Sequence, residues 1–139
     1  MQRWLLLAKD DNGQTAWHLA AQHGYEEILE KIWVWDRKVQ LTREDDLLLV
    51  KDDNGQTAWH LAAQHGYEEI LEKIWVWDRK VQLTQEDDLL LVKNKDGQTA
   101  WHDATRCVYK EILEHLWVWA RDMHLNPKYD LLLSKNRYR

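Results

Sequence analysis

The sequence is poor in cysteine and in long apolar runs, and each shortage excludes a class of protein. A single cysteine, Cys107, cannot form an internal disulfide, which suits the cytosol as well as any recombinant protein. No uninterrupted apolar run approaches the roughly 20 residues that a membrane-spanning helix needs. We therefore expect no membrane span, and a cytoplasmic location only if the protein is natural.

Catalytic and metal-binding signatures are also missing. Ser134 is the only serine, so there is no nucleophile elbow, and no glycine-rich loop is present to hold a phosphate. Seven histidines occur without an HExxH motif, and Cys107 has no Cys-x-x-Cys partner. The acidic clusters at 44–46 and 86–88 lack the oxygen spacing of a calcium loop and indicate helix starts. We predict no enzyme activity, no cofactor and no metal site.

The charge balance argues against two classes of partner. The formal net charge is -5, so attraction to nucleic acid or to an anionic membrane surface is opposed, although the chain ends on a basic stretch. Hydrophobic residues make up 45% of the 139 residues, which is enough for one folded domain with a continuous apolar interior. The partners that remain are proteins, including a second copy of the chain.

Repetition dominates what is present. Residues 9–50 and 51–92 differ only where Arg43 becomes Gln85, and residues 93–134 keep the same framework with more changes. A period of 42 residues indicates stacked units that bury their faces against each other. We expect one domain over 1–139, with a partial unit at 1–8, a first unit at 9–50, a second at 51–92, a C-terminal capping unit at 93–134 and a tail at 135–139.

Each unit predicts a turn, two helices and a shorter third helix. Asn12-Gly13 supplies residues that tolerate positive φ, so a tight hairpin-like turn is expected there. Thr15 then caps a two-turn helix that ends at Gly24. A second helix, from about Glu26 to Gln40, places apolar residues at three-and-four spacing along one face. A third begins near Thr42, before Leu47-Leu48-Leu49, and Asn126-Pro127 marks the same start in the last unit.

The run Gly13-Gln14-Thr15-Ala16-Trp17-His18, followed by Ala20-Ala21 and Gly24-Tyr25, resembles the ankyrin repeat. The six-residue run recurs in every unit, and the whole pattern recurs in the second. Two features depart from that family: Ala-Trp stands where Pro-Leu is usual, and the period is 42 residues, against about 33 in the family. The resemblance implies an all-α, ankyrin-like solenoid with an added short helix per unit. It also implies a concave groove, lined by turn tips and first helices, that binds other proteins.

Carried over position by position, the resemblance places groove residues in every unit. The predicted protein-binding positions are Asp11, Asn12, Gln14, Gln22, His23, Asp53, Asn54, Gln56, Gln64, His65, Lys95, Asp96, Gln98 and Arg106, with Cys107 after them. The first two units are identical at these positions, whereas the surface of an irregular partner is not periodic. Selection for an irregular target therefore does not explain them.

The aromatic and histidine residues each allow two interpretations. The ten tryptophans favour core packing at 17, 33, 59, 75, 101 and 117, while exposed members of the set 35, 77 and 119 would be candidates for binding an aromatic ligand or a sugar. The resemblance implies that His18, His60 and His102 hydrogen-bond near the capping threonines. His23 and His65 are expected to be solvated groove residues, with adventitious nickel or zinc binding as the alternative.

The two ends of the array differ. In the third unit Leu61 is replaced by Asp103, Ala63 by Thr105 and Gln64 by Arg106, as a polar C-terminal cap requires. The first unit has no such changes, so we predict an apolar N-terminal face that favours self-association through a two-fold contact of identical surfaces. Identical units indicate an engineered array or a recent duplication. The alternative function is an interaction module cut from a natural ankyrin-repeat protein.

Overall fold

The computed structural model of the chain describes residues 2–39, 47–81 and 89–122. Within these ranges it is helical and contains no strand, which confirms the predicted fold class. Several predicted features lie outside the described residues. They are the helix starts at Thr42 and at Asn126-Pro127, the two acidic clusters and the basic C-terminal stretch. The helices are α1 (Gln2–Leu6), α2 (Ala16–His23), α3 (Glu26–Val39), α4 (Ala58–His65), α5 (Glu68–Val81), α6 (Ala100–Arg106) and α7 (Lys110–Asp122), with single 3₁₀ turns at Leu47–Leu49 and Leu89–Leu91.

The first helix of each unit is short because both of its ends are capped. The Oγ1 atom of Thr15 accepts a hydrogen bond from the His18 amide, and Thr57 does the same for His60. At the other end Gly24 adopts φ 76°, a left-handed conformation that costs glycine little, and its amide donates to the Ala20 carbonyl. These caps confirm the predicted two-turn helix.

The turn before that helix differs from the prediction at one residue. Among residues 10–14 only Gly13 has positive φ, so Asn12 does not adopt the left-handed conformation that was expected for it. The reason is the Asp10 side chain, whose Oδ1 atom accepts hydrogen bonds from the amides of Asn12 and Gln14, both at 2.9 Å. A carboxylate that bonds two successive turn amides in this way stabilises an Asx-type turn.

Packing of these elements builds the solenoid. Helices α2, α4 and α6 contact one another in an inner row, and α3, α5 and α7 each pack against the first helix of their own unit. The turns are also joined, because the amide of Asp53 donates to the Asn12 carbonyl at 3.1 Å, and Lys95 donates to Asn54 in the same way. Buried alanines on the inner row, Ala20, Ala62 and Ala104, allow the close approach of its helices. Every unit therefore meets its neighbour through the same positions.

The third unit keeps this backbone with a different residue at the helix end. Val108 occupies the place of Gly24 and Gly66, and at φ 62° it is the only non-glycine residue with positive φ in the described ranges. Helix α6 ends at Arg106, one position before the equivalent end of α2 and α4. A branched side chain at positive φ there introduces backbone strain.

Candidate interaction surfaces

Two buried histidines link consecutive units. Nδ1 of His18 accepts the Thr15 amide at 3.1 Å, so its Nε2 carries the proton and donates to the carbonyls of Val50 and Gln56, both at 3.1 Å. His60 makes the same bonds one unit later, to Val92 and Gln98. The structural role implied for these two histidines is confirmed.

Burial favours the neutral form of His18, His60 and His102, which occupy the same position in the three units. Desolvation lowers the pKa of His18, and it lowers the pKa of His60 to about 4 despite the two carbonyls that bond its ring. His102 is half-buried and accepts the Thr99 amide at 3.0 Å; burial, with help from Lys93 and Arg106, lowers its pKa as well. A neutral ring is the form that can accept at Nδ1 and donate at Nε2.

The other histidine row lies on the surface. His23 is exposed and stacks on the Tyr25 ring with 5.6 Å between ring centres, and His65 stacks on Tyr67 at 6.2 Å. In the described ranges no group of three or more His, Cys, Asp or Glu side chains is arranged to hold a metal ion. None of the helices described is long and apolar enough to cross a membrane.

The predicted groove residues lie on turn tips and on the last turn of the first helices. Gln14 donates from its side-chain amide to Gln22 at 2.9 Å, and Gln64 donates to Gln56 at 2.8 Å. Asp11, Asn12 and their counterparts in the second and third units are exposed at the tips. The structure thus joins two of the predicted residues in each unit, through an amide pair in the first two units and through Arg106 and Gln98 in the third.

Asp103 corrects the predicted cap. It was expected on a polar outer face, but its side chain is fully buried and contacts Gln64 of the second unit. Arg106 donates to Asp103 at 3.0 Å and to Gln98 at 3.1 Å, and Gln64 donates to Asp103 at 3.4 Å. Burial raises the pKa of Asp103, and the Arg106 guanidinium opposes that rise. Position 103 faces the preceding unit, so it has no part in covering the end of the array.

The tryptophans form repeated three-ring clusters across each junction between units. Trp33 stacks on Trp77 with 4.9 Å between ring centres and an interplanar angle of 10°, and Trp17 tilts against both. One unit later the cluster consists of Trp59, Trp75 and Trp119. The predicted packing role is confirmed for 17, 33, 59 and 75, which are buried, while Trp117 is exposed and Trp101 is half-buried. Among 35, 77 and 119, only Trp35 is exposed.

A charged clasp joins the second helices, and sequence reasoning missed it. Lys73 bonds Glu30 at 2.6 Å and Glu26 at 3.4 Å across the first junction. His115 occupies the same place at the second junction, 3.3 Å from Glu68 and 3.5 Å from Glu72. The hydrogen bond that Lys73 donates to Glu30 raises the pKa of Lys73, so this lysine stays charged. The sequence contains a signal for this contact: the glutamates Glu26 and Glu30 lie four residues apart and recur 42 residues later as Glu68 and Glu72.

A cleft of about 350 Å³ lies beside this clasp, between α3 and α5. Lys73 lies within it and already pairs with two of its carboxylates. The cleft is therefore part of the junction between units. Its lining consists of Glu26, Glu30, Glu69, Glu72, Lys73, Val76 and Trp77.

The open side of the first unit exposes several large apolar side chains. We call Leu19, Tyr25, Ile28 and Trp35 the N-terminal face. Ile28 is 49% exposed, whereas its counterpart Ile70 is 2% exposed, and the values for Leu19 and Leu61 are 36% and 4%. Helix α1 contacts α3 but leaves these side chains accessible. The apolar face expected at this end is therefore present.

The fold and these junctions define a helical repeat solenoid. The family model described as Ankyrin repeat matches residues 12–33 and 54–75, which cover the turn, the first helix and part of the second helix in the first two units. The first two units therefore match the ankyrin repeat over these residues, which confirms the predicted resemblance there. Repeats of this kind typically serve as protein-interaction modules. A search of curated proteins found no match to the chain.

Proposed function

We propose that the chain is a non-catalytic repeat scaffold, engineered or recently duplicated, that associates with a second copy of itself through the N-terminal face. The observation that carries this proposal is Ile28, about half exposed in the first unit although the same residue is buried in the second. Exposed apolar side chains on the side where a neighbouring unit would pack favour a contact site there. The near-identity of the first two units supports the engineered or duplicated origin.

The junctions inside the chain support the choice of this surface. The counterparts of the N-terminal face in the second unit pack against the first unit, where Trp77 stacks on Trp33 and Ile70 is buried. The same side chains at the open end have the same chemistry and no cover among the described residues. Burying apolar area contributes about 25 cal/mol per Å², so a second copy that covers them gains free energy.

Sedimentation velocity of the full chain, run in a reducing agent so that Cys107 cannot link two chains, tests the proposal. Ile28→Asp should shift the sedimentation coefficient to that of a monomer, because a carboxylate in the contact is costly to desolvate. Val34→Asp is the matched control: Val34 is 49% exposed, but its counterpart Val76 is equally open at 48%, so this position is not specific to the end. Equal effects of the two substitutions would argue against the N-terminal face.

The groove is the second candidate site, and the exposed turn tips favour it. Asp11, Asn12 and His23 project from the first unit and recur in the second, which offers a partner a periodic polar surface. Replacing His23 and His65 with alanine would weaken capture of a groove partner and leave the mass of the chain unchanged. The opposite pattern, a change in mass alone, would favour self-association. Origin is tested separately: silent differences between the DNA copies of the two units would favour a natural duplication.

A further inference from the structure

We infer that the outer surface of the third unit is a stop for stacking, and that it limits assembly through the N-terminal face to a closed pair of chains. We call Thr105, Val108 and Lys110 the C-terminal stop. The pairing rests on the proposed self-association, whereas the stop is argued from the junctions within one chain. Each stop residue replaces one that the inner junctions need.

Val108 occupies the place where a junction receives a tyrosine ring. A Cβ atom added at Gly24 would lie 3.0 Å from the Tyr67 ring, and one added at Gly66 would lie 3.0 Å from Tyr109. The glycines thus leave room for the tyrosine of the following unit. Val108 carries a branched side chain at this position and is exposed. A tyrosine arriving as Tyr67 does would collide with it.

Thr105 and Lys110 change the remaining contacts on that surface. Ala21 and Ala63 are fully buried in the inner row, but the equivalent Thr105 is exposed, and its hydroxyl donates to the Trp101 carbonyl at 2.8 Å. Lys110 stands where Glu26 and Glu68 hold the charged clasp. An incoming Lys31, the counterpart of Lys73, would therefore meet one lysine and one carboxylate where Lys73 meets two carboxylates.

The two ends of the chain are consequently mismatched for addition head to tail. Trp117 is exposed and could stack with Trp35 of another copy, so the aromatic contact alone would favour an open chain. The steric conflict with Tyr25 and the charge conflict with Lys31 oppose it. A contact of the N-terminal face with its own copy avoids both conflicts, and a two-fold contact of identical surfaces closes after two chains.

Light scattering on four full-length proteins, the wild type and three variants, tests this inference. The wild-type mass should level off at two chains as concentration rises. The variant Thr105→Ala/Val108→Gly/Lys110→Glu restores the inner-unit residues, and its mass should keep rising beyond two chains. Adding Ile28→Asp to that variant should return it to one chain, which shows that the growth uses the N-terminal face. Val108→Gly alone tests the steric part and should permit partial growth.

Each outcome decides between the two proposals. Wild-type growth beyond two chains, or a restored variant that levels off at two, would overturn the stop. A wild-type protein that stays monomeric would refute the proposed self-association. In that case growth of the restored variant would still support the stop, and a monomeric restored variant would overturn it.

Discussion

The first and second units are nearly the same sequence in two different surroundings. Helices α2 and α4 have identical residues, as do α3 and α5, yet Ile28 is far more exposed than Ile70, and Leu19 far more than Leu61. The second unit has neighbours on both sides, whereas within the described residues only α1 contacts the open side of the first. In a solenoid, then, burial is decided by the neighbouring unit as much as by the unit's own residues. This comparison provides pairs of matched substitutions within one molecule.

The largest expected contrast is between Ile70→Ala and Ile28→Ala. Ile70→Ala removes buried methyl groups and should lower the free energy of unfolding by about 3 to 4 kcal/mol. Ile28→Ala changes a half-exposed side chain and should cost less than about 1 kcal/mol when measured on monomeric protein. Urea unfolding of both variants at low concentration gives the comparison. Equal losses would mean that the open end is covered in solution.

Acid should destabilise the junctions through the buried histidines. The pKa of His60 is about 6.5 in the unfolded chain and about 4 in the folded chain. Between these two pH values the unfolded chain therefore binds the proton more tightly than the folded chain does. Stability is therefore fully present above about pH 6.5 and falls as pH drops toward 4, by up to about 3 kcal/mol for this residue. Melting temperatures from pH 8 to pH 4 measure the loss. A His60→Gln variant should be less stable but should show a shallower slope, and an unchanged slope would contradict this origin.

Asp103→Leu should stabilise the protein, by about 1 to 2 kcal/mol. The change introduces the residue that the second unit has at this position. It also removes a buried carboxylate whose partner Arg106 is half exposed, and replacing buried charge with a well-packed apolar side chain is often stabilising. The reverse change, Leu61→Asp, is the control and should be strongly destabilising because no arginine stands at Gln64 to pair with it. Thermal unfolding of the two variants decides the matter. A loss of stability in Asp103→Leu would show that the Arg106 pair is favourable overall.

Val108→Gly should give the smallest gain, about 1 kcal/mol. A valine at positive φ is strained, and glycine removes that strain at some cost in chain entropy. Gly66→Val is the mirror substitution in the second unit, and it should destabilise because it adds both the strain and a contact with the Tyr109 ring. Chemical denaturation reports both changes. Stabilisation by both substitutions would contradict the assigned role of this glycine.

Much of the fold could be predicted because its signals are local and periodic. Thr15 and Gly24 mark the ends of a helix through backbone chemistry that depends on few neighbours. The Asx turn was harder, since the choice between Asn12 and Gly13 depended on where the Asp10 carboxylate lies. The shape of the added Leu47–Leu49 segment, a single 3₁₀ turn, also depended on packing beyond its own residues.

The interaction surfaces were less predictable because they depend on which side of a helix meets which neighbour. Asp103 was expected on the outer face, yet it lies on the side of the helix that meets the preceding unit. Thr105, only two residues later, lies on the side that would meet a following unit. The Lys73 clasp joins residues far apart in sequence, so no single helix contains its pattern. The apolar open end was foreseen, because it follows from identical units and an unmodified first unit.

The most direct test of this account is the mass of the wild-type chain by light scattering across a dilution series in a reducing agent. We predict the monomer mass of 16.8 kDa at the lowest concentrations and twice that value at the highest. A mass of 16.8 kDa at every concentration would contradict the claim that the N-terminal face is the working surface.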